Sequence, residues 1–296
     1  MIKKLNNFLK NSNIFSLNKS KKKKIFTEYF NSLTAFHYKK CLEYKNICKN
    51  LNYDFKKNFK LNELPYLPVN IFKSLNLKSV SEKNVTRIMH SSGTTGNSLS
   101  KIYLDKANSQ NQMKALSKLF SEMSGHRNRL PMLVIDTKSI LTNRNSFSAR
   151  SAAILGFSIF AKEIVYALND DMTLNIESVK KFYTKYHSQP NIIFGFTYLI
   201  WDKFSNDKRL INSKFNLEKS VLLHGGGWKK LKKKNISNKK FKNILNSKFN
   251  IKNIINYYGM VEQTGSIFFE CSKCENFVTA CLTLSSIVPV ISPPIV

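Results

Sequence analysis

The sequence predicts an α/β fold in which a largely parallel sheet is flanked by helices. Two observations support this prediction. Short apolar runs that end in glycine or polar residues alternate with amphipathic helical segments, and 42% of the 296 residues are apolar, enough for a sizeable core. Ligands of such folds bind where the carboxyl ends of the strands meet loops, so those loops are the first places to search for a function.

Residues 1–60 are predicted to form a lysine-rich helical cap. Apolar side chains such as Phe26, Tyr29, Phe30 and Leu33 recur at steps of three and four residues, which is the helical period. The segment 64–68 then ends this pattern, because its two prolines fix their own backbone and disfavour helix before them.

Strands and helices alternate after residue 100. A strand at 101–105 is followed by a helix at 107–124, which Gly125 is expected to end. Further strands are predicted at 132–136, 192–195, 221–224 and 254–258, and further helices at 177–187 and 237–249.

The net charge of +30 comes almost entirely from lysine. Only six of the 48 basic residues are Arg, so 42 are Lys. Arg recognises bases and phosphate through bidentate hydrogen bonds, whereas Lys is a hydrated point charge that is common on solvated surfaces. The composition therefore favours a solvated lysine surface over a specific nucleic-acid site, with clusters at 21–24 and 229–234 as candidates for contact with anionic lipid or phosphate.

Targeting and cysteine patterns point to the cytoplasm. Residues 1–24 contain no apolar stretch of the length that a signal peptide needs. Five cysteines are an odd number, which fits reduced thiols better than a disulfide framework. Cys271 and Cys274 have the spacing of half a zinc site, but a second pair is missing, so structural zinc is not favoured.

The first candidate loop, at 91–96, consists of four hydroxyl residues and two glycines. Glycine lets successive backbone N–H groups turn inward and the hydroxyls add donors, so such a loop can wrap phosphate oxygens. It lacks the Gly-Lys-Ser/Thr of a Walker A loop, and a flexible turn is the alternative. Its members are Ser91, Ser92, Gly93, Thr94, Thr95 and Gly96.

The second candidate loop is a run of three glycines, Gly225, Gly226 and Gly227, directly after a predicted strand. Glycine is entropically unfavourable in a fixed conformation, so its repetition indicates either close approach of the backbone to a flat ligand or a wide surface turn.

The third candidate segment, at 256–265, closes another strand with two tyrosines, Gly259 and Glu262. An aromatic face can stack on a base, and a carboxylate can help to hold Mg²⁺ beside phosphate. The alternative for Glu262 is a favourable partner of a helix dipole in a first helical turn.

Taken together, these motifs resemble those of adenylate-forming ligases in order and spacing. The segments Phe147-Ser-Ala-Arg150 and Tyr257-Tyr-Gly-Met-Val-Glu-Gln-Thr-Gly265 narrow the likeness, and residues of about 60–275 are similar to the acyl-protein synthetase (LuxE-type) family. The resemblance implies the large nucleotide-binding domain of such a ligase over residues 61–275.

The resemblance also implies an activity. Such ligases use ATP and Mg²⁺ to activate a long-chain fatty acid as an acyl-adenylate, then pass the acyl group to a protein cysteine thiol, from which a partner acyl reductase takes it. It implies that the 91–96 loop, with Thr94 and Thr95, holds the β- and γ-phosphates. The 225–227 run would lie along adenine, Tyr258 and Gly259 beside it, and Glu262 would hold the metal.

Arg150 is a further candidate catalytic residue. As one of six arginines, placed in a family-like segment, it is expected either to neutralise phosphate or the fatty carboxylate, or to form a structural ion pair. His90 and His224 are expected to be packing or hydrogen-bonding residues and receive no catalytic role.

Residues 276–296 depart from the family pattern. They contain no charged residue, although their length predicts about three lysines at the average frequency of this chain. The resemblance implies a small C-terminal domain here, with a catalytic lysine and the acceptor cysteine, so we expect a truncated or frameshifted end and impaired thioester formation. The three prolines argue against a membrane-spanning helix, and Cys281 is not assigned as the acceptor.

Two other functions remain open from the sequence. One is a ligase related to phenylacetate–coenzyme A ligases, which would load another acid onto coenzyme A or a carrier protein and would differ in its chain-length dependence. The other is a lysine-rich protein that binds nucleic acid or anionic membrane, for which steeply salt-dependent binding without ATP binding would be diagnostic.

Overall fold

The computed structural model describes residues 18–91, 99–142, 149–227, 236–263, 267–270, 277–278 and 290–291. The chain divides into two compact units. Unit 1 comprises Met1–Leu116, Gly259–Ile267 and Thr279–Val296, and unit 2 comprises Ser117–Tyr258 and Phe268–Val278. The domain boundaries that the sequence suggests near residues 60 and 275 stay predictions.

The elements are numbered in chain order. The helices are α1 Lys19–Lys40, α2 Leu42–Asn50, α3 Lys106–Ser124, α4 Ala149–Ser158, α5 Ile176–Tyr186, α6 Thr197–Leu199, α7 Lys208–Asn212 and α8 Asn238–Phe249. The strands are β1 Leu67–Pro68, β2 Arg87–His90, β3 Lys101–Leu104, β4 Leu130–Thr137, β5 Ala161–Leu168, β6 Asn191–Phe196, β7 Ser220–Gly225, β8 Asn253–Gly259, β9 Ile267–Glu270, β10 Phe277–Val278 and β11 Val290–Ile291. Short 3₁₀ turns cover Leu61–Glu63, Val69–Lys73, Glu82–Asn84 and Lys138–Leu141, and a π-helical turn covers Ile200–Ser205.

Unit 1 begins with the predicted helical cap. The Asn18 side chain accepts a hydrogen bond from the Lys21 backbone N–H, which starts α1. Tyr44 and Cys48 lie on one face of α2, and together with Cys41, which precedes the helix, they are buried against Phe72 and other apolar side chains of the unit. The prediction of helices is confirmed between residues 19 and 50 and is wrong for residues 51–60, which form turns and irregular structure, while residues 1–17 lie outside the described residues.

Unit 2 is built on a seven-stranded sheet with the order β10-β9-β8-β7-β6-β4-β5. Every pair from β5 to β8 is parallel, and β9 pairs with β10 in the antiparallel sense. The α/β fold class with a mostly parallel sheet is therefore confirmed. Strand β5 was not predicted, because it starts with exposed Lys162 and Glu163 on the edge of the sheet and so lacks a continuous apolar run.

The chain reverses its winding direction at β4. The connection from β4 through α4 leads to β5 on one side of β4, and the connection from β5 through α5 leads back to β6 on the other side. The carboxyl ends of β4 and β6 thus form a topological switch point, where open α/β sheets most often bind ligands.

Helices cover both faces of this sheet. Side chains of α5 and α8 share one core with β4, β6 and β7. On the other face, Phe157 of α4 packs against Phe194 and Tyr257, with ring centroids 4.9 Å and 4.8 Å away. No helix among the described residues is long and apolar enough to cross a membrane.

Leu222→Ala is expected to destabilise the protein by about 2–5 kcal/mol, because Leu222 lies fully buried on β7 and its truncation leaves a cavity. Leu155→Ala, at an exposed position of α4 in the same unit, is the matched control and should cost less than about 1 kcal/mol. Urea unfolding of the full chain measures both, and equal losses would contradict the packing described for β7.

Candidate functional site

The predicted phosphate loop begins where strands β2 and β3 end their pairing. The two strands are antiparallel from the Arg87–Leu104 pair to the His90–Lys101 pair. Ser91 continues the closure, since its N–H donates to the Ser100 carbonyl (3.3 Å) and its hydroxyl accepts from the Ser100 N–H (3.1 Å). Of the six predicted loop residues, Ser91 is therefore placed, while Ser92, Gly93, Thr94, Thr95 and Gly96 lie outside the described residues.

The chain's own aromatic rings explain two glycines of the 225–227 run. A Cβ at Gly225 would lie 2.7 Å from ring carbons of Tyr257, its partner on β8. Gly226 has φ = +75°, and a Cβ there would lie 2.7 Å from the Phe196 ring. A Cβ at Gly227 would meet nothing within 4 Å. Packing thus requires Gly225 and Gly226, whereas Gly227 leaves open space next to its backbone.

His224 and Thr197 hold the carboxyl ends of β7 and β6 together. The Thr197 hydroxyl donates to the Gly225 carbonyl (3.1 Å) and lies 3.0 Å from Nδ1 of His224. Because the hydroxyl proton is used on Gly225, Nδ1 must be the protonated ring nitrogen and donate to Thr197. The Nε2 atom is buried without a hydrogen-bond partner in the described part of the chain.

Burial keeps this imidazole neutral. Desolvation, and secondarily the charge of Lys242, lower the pKa of His224 to about 3. His224 is thus a packing and hydrogen-bonding residue. His90, in contrast, is exposed on β2, paired with Lys101 of β3, and its expected packing or hydrogen-bonding role stays a prediction.

The two tyrosines at the end of β8 lie in different environments, because neighbouring residues of a strand face opposite sides of the sheet. Tyr257 packs on Phe157 and Phe194, and burial raises its pKa. Tyr258 is exposed, with Phe268 beside it at a centroid distance of 6.2 Å. Gly259 follows as an exposed residue that ends the strand.

Glu262 lies in a turn rather than in a first helical turn, so the helix-dipole alternative does not apply. The Gln263 N–H donates to the Met260 carbonyl in this turn. Glu262 is only 6% exposed, and within the described residues its carboxylate has no hydrogen bond or ion pair. A carboxylate oxygen is a ligand type that Mg²⁺ takes from proteins. The residue thus fits a metal ligand, although no group of three potential ligands occurs among the described residues.

Arg150 forms a two-pronged ion pair at the switch point of the sheet. Its Nε donates to Asp136 Oδ2 (2.9 Å) and its Nη2 donates to Asp136 Oδ1. Its Nη1 lies 3.4 Å from the Tyr198 hydroxyl. Asp136 is buried at the carboxyl end of β4 and also accepts from the Thr137 N–H. Burial lowers the pKa of Arg150, but the hydrogen bond and charge of Asp136 raise it more, and the net shift is upward.

Several residues of this region were not singled out from the sequence. Asp136 ends the predicted strand 132–136 and Thr197 follows the predicted strand 192–195, so the signal for each was a polar residue at the end of an apolar run. Tyr198 and Phe196 gave no separate signal, because their importance depends on which strand lies beside β7.

Comparison with known proteins identifies the family. The profile of the acyl-protein synthetase LuxE family matches residues 2–280. The chain belongs to this family. No curated protein matches the LuxE-family chain at a significant level. Among solved structures, a mutant form of coronafacic acid ligase from Pectobacterium brasiliense is similar, with 15% identity and a TM-score of 0.34 over 57% of this chain. The chain covers 29% of that ligase.

Gly226→Ala is expected to lower the free energy of unfolding by about 1–2 kcal/mol from its left-handed backbone alone, and by more through contact with Phe196. Gly227→Ala, the matched control one residue later, should change it by less than about 0.5 kcal/mol. Urea unfolding tests the pair, and a tolerated Gly226→Ala would contradict the described backbone.

The pH dependence of stability should report His224. Its pKa is about 3 in the folded protein and near its ordinary value of 6.5 when unfolded, so the unfolded chain binds the extra proton between these values. This group therefore contributes a loss of stability as pH falls from about 6.5 towards 3, with a slope of at most about 1.4 kcal/mol per pH unit.

His224→Asn removes the titrating group and keeps an N–H for Thr197. Urea unfolding between pH 7 and pH 4 should give a shallower slope for this variant than for the wild type. Identical slopes would show that the imidazole is not held neutral.

Proposed function

We propose that the chain activates a long-chain fatty acid with ATP and transfers the acyl group to a protein cysteine thiol. The observation that carries the proposal is the family match over residues 2–280, which includes every motif discussed above. The cytoplasm is the proposed location, and an acyl reductase that consumes the thioester is the proposed partner.

The reaction proceeds in two displacements. A carboxylate oxygen attacks the α-phosphorus of ATP, the bond to the β-phosphate oxygen breaks, and pyrophosphate leaves. A cysteine thiolate then attacks the acyl carbon, and AMP leaves with the electrons of the broken carbon–oxygen bond. Positioning and charge stabilisation are the main contributions of the protein to such steps.

Roles are proposed for each motif separately. The 91–96 loop, with Thr94 and Thr95, binds the β- and γ-phosphates. Of the 225–227 run, Gly227 is the residue whose open space suits close approach of adenine, and the exposed ring of Tyr258 suits stacking on it. Gly259 leaves this end of β8 without a side chain.

Glu262 is the proposed Mg²⁺ ligand. Bound Mg²⁺ would neutralise charge on the phosphates. Mg²⁺ in proteins usually has only one or two carboxylate ligands, so Glu262 could be its single protein ligand. The ligand type of Glu262 and its place in the turn that follows β8 support this assignment.

Arg150 is proposed to orient the carboxylate of the fatty acid or a phosphate. Its Nη1 is the guanidinium nitrogen that Asp136 does not bind, and it lies 3.4 Å from the Tyr198 hydroxyl. Asp136 would then fix the guanidinium plane.

Carboxylate-dependent ATP–pyrophosphate exchange tests the activation step. Exchange should rise with long-chain fatty acids, and Glu262→Gln should lower it about tenfold or more at limiting Mg²⁺, with partial recovery as Mg²⁺ rises. Glu177→Gln, at an exposed position of α5, is the control and should leave exchange unchanged.

Gly96→Ala and Gly227→Ala probe the two loops in the same assay. Each should lower exchange, and Gly227→Ala should do so without loss of stability, which separates ligand contact from folding. If no carboxylic acid supports exchange by the wild-type chain, the proposed activation is wrong. If only aryl or short acids support it, the fatty-acid assignment is wrong.

A further inference from the structure

The corner between α1 and α2 combines exposed lysines with exposed aliphatic side chains. Leu42 is 67% exposed and Leu51 is 58% exposed, at the two ends of α2. Phe36, one turn before Lys40 on α1, is 42% exposed. Large apolar side chains are unfavourable in water, so their concentration in one short segment calls for an explanation.

Four lysines surround these side chains. Lys39 and Lys40 end α1, and Lys45 and Lys49 lie three and seven residues after Leu42, which places them on the same face of α2. The opposite face of α2 holds the buried side chains of Tyr44 and Cys48. The outward face of α2, with Leu42, Lys45 and Lys49, is therefore basic and aliphatic at once, and Leu51 is exposed just beyond the end of the helix.

Ring contacts fix the two helices' lysines on one common surface. The rings of Tyr38 and Phe55 stack with centroids 4.4 Å apart. Lys39 Nζ lies 5.5 Å from the Phe55 centroid, and Lys45 Nζ lies 6.0 Å from the Tyr38 centroid. Both ammonium groups thus flank one aromatic pair and hold the edges of a single patch.

The charge of this patch is not neutralised by the protein. Within the part of the chain that the structure describes, Lys39, Lys40, Lys45 and Lys49 take part in no ion pair. Two acids, Glu43 and Asp54, lie in the same segment and leave residues 39–54 with a net charge of 4 − 2 = +2. Glu43 accepts from the Cys41 thiol (3.5 Å), and Asp54 accepts from the Lys56 backbone N–H (3.0 Å).

We propose that the α1–α2 surface, formed by Lys39, Lys40, Leu42, Lys45, Lys49 and Leu51, docks on the surface of an anionic phospholipid bilayer. Clustered lysines are attracted by anionic headgroups, and aliphatic side chains gain by burial at the boundary of headgroups and acyl chains.

Nucleic acid fits the surface less well. Residues 18–60 contain no arginine, and the six arginines of the chain all lie elsewhere. A phosphate backbone would satisfy the lysines but offers no apolar phase for Leu42 and Leu51. The cluster at 21–24, by comparison, has no exposed large apolar side chain near it in sequence among residues 18–35, the described part of that region.

Vesicle co-sedimentation of the full chain, without ATP or fatty acid, tests the proposal independently of the enzymatic one. The probes are vesicles of phosphatidylcholine alone and with about one third phosphatidylserine, at about 0.1 M salt. Binding should require phosphatidylserine and weaken as salt rises. Lys39→Gln, Lys40→Gln, Lys45→Gln and Lys49→Gln together should reduce it by about fivefold for each lysine, more than a hundredfold in all.

A second set of four lysines controls for overall charge. Lys180, Lys181, Lys208 and Lys219 are exposed in unit 2, and their joint change to Gln removes the same charge. This control should bind within about threefold of the wild type, because these lysines lie outside the α1–α2 surface. Equal losses in the two sets would overturn the proposal, since the attraction would then belong to the whole protein.

The aliphatic part has its own variant. Leu42→Ser with Leu51→Ser should weaken binding about tenfold while leaving its salt dependence unchanged, and Leu155→Ser should have no effect. Unfolding midpoints confirm that each variant is folded. Binding to pure phosphatidylcholine as tight as to the anionic vesicles would overturn the proposal. Binding of the same variants to duplex DNA is measured in parallel. If the change of the four α1–α2 lysines to Gln abolished binding to DNA but left binding to vesicles intact, the proposal would also be overturned.

Discussion

The parallel sheet of unit 2 must be covered on both faces, and this constraint determines where its polar groups lie. Strands β4, β6 and β7 are buried along their whole length, so apolar side chains occupy both sides of each strand. Polar side chains are then affordable only where the strands end. Asp136, Thr197 and His224 all lie at carboxyl ends, and each is hydrogen-bonded there.

The same constraint changes how the glycine run is interpreted. Three consecutive glycines after a strand suggest that a ligand needs the space, yet the rings of Tyr257 and Phe196 occupy the space beside two of them. The rings can approach because the glycines have no Cβ, and Gly225 lies directly opposite Tyr257 in the ladder. Space for a ligand is thus reduced to Gly227. A glycine motif can record the packing of neighbouring strands as much as the shape of a ligand.

The periodicity of apolar residues predicted most of the helices and strands. Apolar runs such as 192–195 and 221–224 predicted β6 and β7, and Gly125, at φ = +74°, ends α3 as expected. Edge strand β5 was not predicted, because its second and third residues, Lys162 and Glu163, are charged and exposed. The candidate site was harder to predict. Family motifs made Glu262 and Tyr258 candidates, and these assignments stay predictions. The partnership of Arg150 with Asp136, or of Gly226 with Phe196, depends on strand order, which a local pattern does not contain.

The Asp136–Arg150 ion pair determines which substitutions at these two positions the fold can tolerate. Asp136 is buried, so loss of Arg150 alone would leave an uncompensated charge at the end of β4, at a cost of about 3–5 kcal/mol. Loss of Asp136 alone would leave the Arg150 guanidinium without its ion-pair partner. Replacement of both by apolar residues avoids that penalty. The two positions are therefore energetically coupled: a change at either one alone is expected to cost more stability than a change at both.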